Sequence, residues 1–127
     1  MAHILVVDDE PNNHRILNYT LKKAGHQTTT ALNGQAALEL LHHPEFNIDL
    51  AILDVAMPIM DGITLLKHMR GIARYGTLPI IILTGSGDDD ERLHAEQIGI
   101  QGFLTKPTSS KSILEAVNRL VAEYAKT

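Results

Sequence analysis

Five times along this chain a short apolar run gives way to a stretch with helical periodicity, and no other feature constrains the fold as tightly. Ile4-Leu5-Val6-Val7 is a continuous, β-branched-rich run, the pattern of a strand buried on both faces. Ala51-Ile52-Leu53 and Ile80-Ile81-Ile82-Leu83 read the same way, the latter started by Pro79. Thr28-Thr29-Thr30-Ala31 is a weaker, β-branched strand, and Gly102-Phe103-Leu104-Thr105 a short fifth one. Between and after them lie five helical stretches. Ile16, Leu17, Leu21 and Ala24 recur near a 3.6-residue period, with Pro11 at the start and Gly25 at the end. Ala37, Leu38 and Leu41 make a second stripe, and Ile63, Leu65, Leu66, Met69 and Ile72 a third. The stretch from Asp88 to Ile98 is the most polar, while Ile113, Leu114, Val117, Leu120, Val121 and Tyr124 form the clearest amphipathic stripe. Five βα units predict an α/β fold: a five-stranded parallel sheet, doubly wound, with helices on both faces and right-handed crossovers. No break in composition divides residues 1–127, so one domain is expected.

Composition narrows the function classes. At 127 residues the chain can bury a core without disulfides, and it has no cysteine, which excludes thiol catalysis and thiolate metal sites. Eleven Lys and Arg against 15 Asp and Glu give a net charge of −4, against the basic patch of a nucleic-acid surface. No apolar run approaches the ~20 residues of a membrane span, and the first residues turn acidic at Asp8 and Asp9 with no basic leader. A cytoplasmic protein with neither a membrane nor a direct nucleic-acid partner is expected.

In open α/β sheets, ligands bind beyond the carboxyl ends of the strands. The residues that follow the apolar runs therefore carry the argument. Asp8 and Asp9 follow the first, Asp54 the third, Thr84 the fourth and Lys106 the fifth. Acids at strand-to-helix turns commonly serve only as caps. Here, however, the fold brings all five polar positions to one end of the sheet. Three crowded carboxylates call for a cation, and Mg²⁺ suits a site of few carboxylates and several retained waters. Lys106 adds a counter-charge able to contact an oxyanion.

With those residues in place, the sequence resembles the response-regulator receiver domains of two-component signalling over essentially its whole length. The resemblance rests on Asp8-Asp9, the block Asp54-Val55-Ala56-Met57-Pro58-Ile59-Met60-Asp61-Gly62, Thr84, and Phe103-Leu104-Thr105-Lys106-Pro107. The intervals match too, with 30 residues from Asp54 to Thr84 and 22 more to Lys106. It implies flavodoxin-like strand order 2-1-3-4-5, with Asp54 as phosphoacceptor and Mg²⁺ ligand. Asp9 would bind the metal directly, Asp8 largely through water, and Ala56 through its main-chain carbonyl. Lys106 would pair with Asp54 and then with a phosphoryl oxygen. Thr84 would bind another such oxygen, and Phe103 would rotate inward as Thr84 moves. The Lys106-Pro107 bond would be cis. The implied partners are a sensor histidine kinase or histidine phosphotransfer protein and a separate output protein. The implied output face is the fourth helix, fifth strand and fifth helix. Such a domain is a signalling phosphoacceptor rather than an enzyme.

Some positions depart from the family pattern or invite another reading. Ala56 and Ser86 stand where the family tunes water attack on the phosphoryl group, and Ala56 offers no amide or carboxylate. Gly85 is small, as the pattern requires. Thr108 stands where a phenylalanine often follows Lys-Pro, and Phe103 lacks a tyrosine's hydroxyl and could be a plain core aromatic. Asp88-Asp89-Asp90-Glu91 reads as a helix cap, and Asn33-Gly34 as a loop or cap before the second helix. Each of the seven histidines is read as a surface residue, with no zinc-like spacing among them. Met57-Pro58 reads as a turn, Met60 and Met69 as core. Dinucleotide and P-loop glycine motifs are absent. Two alternatives compete: a Mg²⁺-dependent phosphatase, which lacks a cap insertion and a general acid at Ala56, and a degenerate receiver used as a phosphorylation-independent interaction module. The chain has room for one helix after Lys106, so output through a separate protein is expected.

Overall fold

A computed structural model of the chain describes residues 2–85 and 88–124. The five strands are β1 (His3–Val7), β2 (Gln27–Ala31), β3 (Leu50–Leu53), β4 (Ile80–Thr84) and β5 (Gly102–Thr105). The helices are α1 (Pro11–Lys23), α2 (Gly34–Leu41), α3 (Gly62–Gly71), α4 (Asp89–Ile98) and α5 (Ser110–Tyr124). A single 3₁₀ turn, Ala73–Tyr75, which no sequence periodicity announced, lies between α3 and β4. All strand pairs are parallel, in the order β2-β1-β3-β4-β5. Fold class and strand order are as the sequence and its resemblance imply.

Strand alternation builds two cores from one sheet. Leu5 and Val7 of β1, Ala51 and Leu53 of β3, and Ile80 and Ile82 of β4 face α2, α3 and α4, where they meet Ala37, Leu41, Leu66, Met69 and Ala95. Ile4, Val6, Leu50, Ile52, Ile81 and Leu83 face α1 and α5, against Leu17, Leu21, Ile113, Val117 and Leu120. Every residue of β3 and β4 is buried, which is why those runs are continuously apolar. The edge strands β2 and β5 are only partly covered.

The caps at Asn33 and Asp88 follow the sequence, and Asp61 adds another that the sequence reading does not include. Asn33 accepts a bond from the Ala36 N–H (2.8 Å), Asp61 from Thr64 (2.8 Å) and Asp88 from Glu91 (2.8 Å), each satisfying a free first-turn donor. Asp89, Asp90 and Glu91 add negative charge to the first turn of α4. Met69 is fully buried and Met60 packs against the core from the β3–α3 loop.

Two expectations are corrected on α1. Ile16 is 55% exposed, and His14, expected at the surface, is buried at 6%. The reason is angular: at 100° per residue, positions 14, 17 and 21 share the inner stripe while position 16 falls on the opposite side.

Candidate functional site

Strand register sets the level at which the polar residues emerge. Val7 is paired with Leu53, Leu53 with Ile82, and Thr84 with Thr105. Asp8 and Asp54, next in line, thus leave the sheet at one level, while Thr84 ends β4 one residue beyond that level and Lys106 follows β5 two residues beyond it, all at the same rim. The main chain carries the ladder one step further: Asp54 N–H donates to Val7 O (2.9 Å), Asp8 N–H to Ala31 O (3.1 Å) and Lys106 N–H to Thr84 O (2.8 Å). Asp8, Asp54 and Thr84 are buried, whereas Asp9 is exposed.

Lys106 ties the cluster together. Its Nζ donates to Asp8 Oδ2 (2.9 Å) and to Asp54 Oδ2 (3.1 Å). Partial burial pulls the pKa of its ammonium down, but the hydrogen bonds and charges of Asp8 and Asp54 outweigh this, so it sits above its ordinary value. Asp8 is held from several directions. Oδ1 accepts from the Glu10 N–H (2.9 Å), Oδ2 also from Asn13 Nδ2 (3.2 Å), and the main-chain carbonyl from His14 Nε2. Asp54 is held less completely: its buried Oδ1 has no hydrogen-bond partner among the described residues.

One carboxylate oxygen each from Asp8, Asp9 and Asp54 gather within 4.8 Å of one another. Three hard anionic oxygens, one of them from Asp54, whose buried Oδ1 is unpartnered, fit a hard divalent cation. Ala56, whose main-chain carbonyl the resemblance adds to this set, lies exposed in the following loop.

That loop is bent and tightly packed. Met60 N–H donates to Pro58 O (2.7 Å) around Ile59, whose φ of 72° is a strained value for a β-branched residue. Gly62 opens α3 directly against the Asp54 backbone, and a Cβ there would lie 2.0 Å from the Asp54 carbonyl oxygen. Beside Thr84, a Cβ on Gly85 would meet nothing within 4 Å. Ser86 lies outside the described residues.

On the far side, Phe103 is partly buried and packs against the α2–α4 core. The Arg92 guanidinium stands 5.6 Å from its ring centroid. The Lys106-Pro107 bond is cis. A cleft of about 490 Å³ opens beside Lys106 between α1 and α5, lined by Asn13, Ile16, Leu83, Pro107 and Ile113 among others.

The site thus gathers Asp8, Asp9, Asp54, Thr84 and Lys106 at one rim, with Phe103 at its margin. The sequence reading missed Asn13 and His14, which hold Asp8 from the first turn of α1. The 14-17-21 spacing with Leu17 and Leu21 was the available signal for His14.

The family model for the response regulator receiver domain matches residues 4–118. The chain belongs to that family. It is 37% identical over 123 residues to an uncharacterised 14.6 kDa protein of Leptolyngbya boryana, covering 95% of this chain and 88% of that one. It is 30% identical to protein PilH of Pseudomonas aeruginosa, covering 96% and 99%. The signal receiver domain of a signal transduction histidine kinase from Syntrophus aciditrophicus superposes with a TM-score of 0.90 at 32% identity, covering 100% of this chain and 95% of that one. Several other curated relatives are longer, and the chain spans about half of their length or less. Receiver domains are phosphoacceptors of two-component signalling rather than members of a catalytic enzyme family, and they generally use Mg²⁺ at the acidic pocket. No described helix is long and apolar enough to cross a membrane.

Proposed function

We propose that this chain accepts a phosphoryl group on Asp54 from a phosphohistidine of a sensor kinase or phosphotransfer protein, and so switches a protein-binding face. The observation that carries the reading is the placement of Asp54, with Oδ2 on Lys106 Nζ and a buried Oδ1 that no described group satisfies. Asp8, Asp9 and Asp54, with the Ala56 carbonyl, would hold Mg²⁺. Bound there, the cation offsets the negative charge of the incoming phosphoryl oxygens.

The chain's own residues do the rest. An Asp54 carboxylate oxygen attacks phosphorus as the donor's P–N bond breaks, and the imidazole leaves with a proton. The transition state is loose, with charge spread over the equatorial oxygens, so positioning supplies most of the rate. Lys106 exchanges its bond to Asp54 for one to a phosphoryl oxygen, Thr84 takes another, and the open space above Gly85 leaves room for the group. Drawing Thr84 toward the new dianion makes way for Phe103 to turn inward, which reshapes the α4–β5–α5 face. That face already exposes Leu93 at 55%, and a separate output protein in the cytoplasm would read it.

The test is intact-mass analysis after incubation with Mg²⁺ and a small acyl phosphate. Wild type gains one phosphoryl group and Asp54→Asn gains none. An unmodified wild type, or an equally modified Asp54→Asn, defeats the reading.

A further inference from the structure

His14 is the one histidine buried among the described residues, and its side-chain hydrogen bond runs to the acidic site. Its Nε2 bonds the main-chain carbonyl of Asp8. A carbonyl only accepts, so Nε2 is the donor, and Nδ1 is left buried with no partner among the described residues. Asn18 Oδ1, one turn along α1, is buried and unpartnered too. An unsatisfied buried polar atom is costly, and an aliphatic side chain would fill the same inner stripe beside Leu17 and Leu21 without it. What an aliphatic chain lacks is a donor for the Asp8 carbonyl. That carbonyl belongs to the turn carrying both Asp8 and Asp9, and α1 itself is anchored in the core through Leu17 and Leu21.

We propose that His14 is a positioning residue of the acidic site, fixing the β1–α1 turn so that Asp8 and Asp9 present their carboxylates to Mg²⁺. The proposal rests on the metal reading above. The ring holds the main chain of the turn while Asn13 Nδ2 and Lys106 Nζ hold the Asp8 carboxylate. Groups that orient metal ligands from one bond away tune affinity as the ligands themselves do.

Mg²⁺ titration of the metal-free full chain by calorimetry, alongside thermal melting, tests it without any phosphodonor. His14→Leu weakens Mg²⁺ binding about five-fold, the equivalent of ~1 kcal/mol for one lost hydrogen bond. Its melting temperature stays within about 5 °C of wild type, because the lost bond and the removed orphan nitrogen act in opposite directions. His14→Gln, whose amide can donate to the same carbonyl, binds Mg²⁺ within about two-fold of wild type. The flexible His14→Met repeats the donor-free comparison if leucine does not fold. Donor-free variants with wild-type Mg²⁺ affinity, or a glutamine variant as weak as them, overturn the proposal. A wild type that binds no Mg²⁺ defeats the metal reading and this proposal with it. Intact Mg²⁺ binding without phosphoryl transfer counts against the proposed function alone.

Discussion

The two sides of the acidic site are built to different standards. On the α1 side, Asp8 receives bonds from Glu10, Asn13, His14 and Lys106, and the helix behind it is rooted by Leu17 and Leu21. On the α4–β5 side, α4 buries a single residue, Ala95, β5 is an incompletely covered edge strand, and Phe103 is faced by an exposed arginine. Dense hydrogen bonding and burial raise the free energy of local opening, and sparse contacts lower it. A metal site needs fixed ligands, whereas a face that must change shape needs a small gap between two arrangements. The molecule meets both demands by putting them on opposite flanks of β1, β3 and β4.

The sharpest way to test the contrast is at Gly62, which belongs to neither flank and packs against the Asp54 backbone between them. A Cβ would sit 2.0 Å from the Asp54 carbonyl oxygen, so backbone must move to admit it. Gly62→Ala loses about 3 kcal/mol or more in urea unfolding, a larger loss than any single substitution on the exposed face of α4.

A smaller effect comes from Lys106 in the metal-free protein. Because its folded pKa is raised, its contribution to stability is fully present below its unfolded value. It is lost as pH climbs through the folded value above 10.5. Unfolding free energy therefore falls with pH in that alkaline window, and the slope is reduced in Lys106→Met. An unchanged slope would mean that the lysine is not holding the two carboxylates together.

The smallest effect is expected on the loose side. Arg92 over Phe103 is an exposed cation–π contact paired with an exposed ion pair to Glu96, so Arg92→Ala costs at most ~1 kcal/mol. Its signature is faster amide hydrogen exchange in β5 and α4, with exchange around Asp8 unaltered. Equal acceleration on both flanks would erase the distinction drawn between them.

Much of this was legible in the sequence because the fold rests on buried periodicity. The runs at Ile4, Ala51 and Ile80 are apolar without interruption because both faces of those strands are covered, and the polar residue ending each run marks the rim. Caps at Asn33 and Asp88 announced themselves by residue type. Where the reading failed, two signals competed. Ile16 falls in the predicted α1 stripe because it is apolar, and His14 reads as a surface residue because it is polar, although helical angle favours 14 over 16 on the inner face. The close approach of Gly62 to Asp54 was equally hidden, since it arises between backbone atoms that carry no pattern. The 3₁₀ turn at Ala73–Tyr75 was hidden for a different reason: Arg74 fastens it to the carbonyls of Leu41, Pro44 and Phe46, a long-range bond set no local window contains.

The pairing of Val7 with Leu53 and of Leu53 with Ile82 has a consequence for how this domain tolerates change. The chemistry at the rim has no address of its own; it is located by counting along strands whose alternating side chains fill two separate cores. Inserting or deleting one residue within β1 would exchange the two faces of that strand and carry Asp8 to the wrong height in the same stroke. Variation in length is therefore confined to the loops, and the acids can be moved along the strand axis only at the expense of the interior.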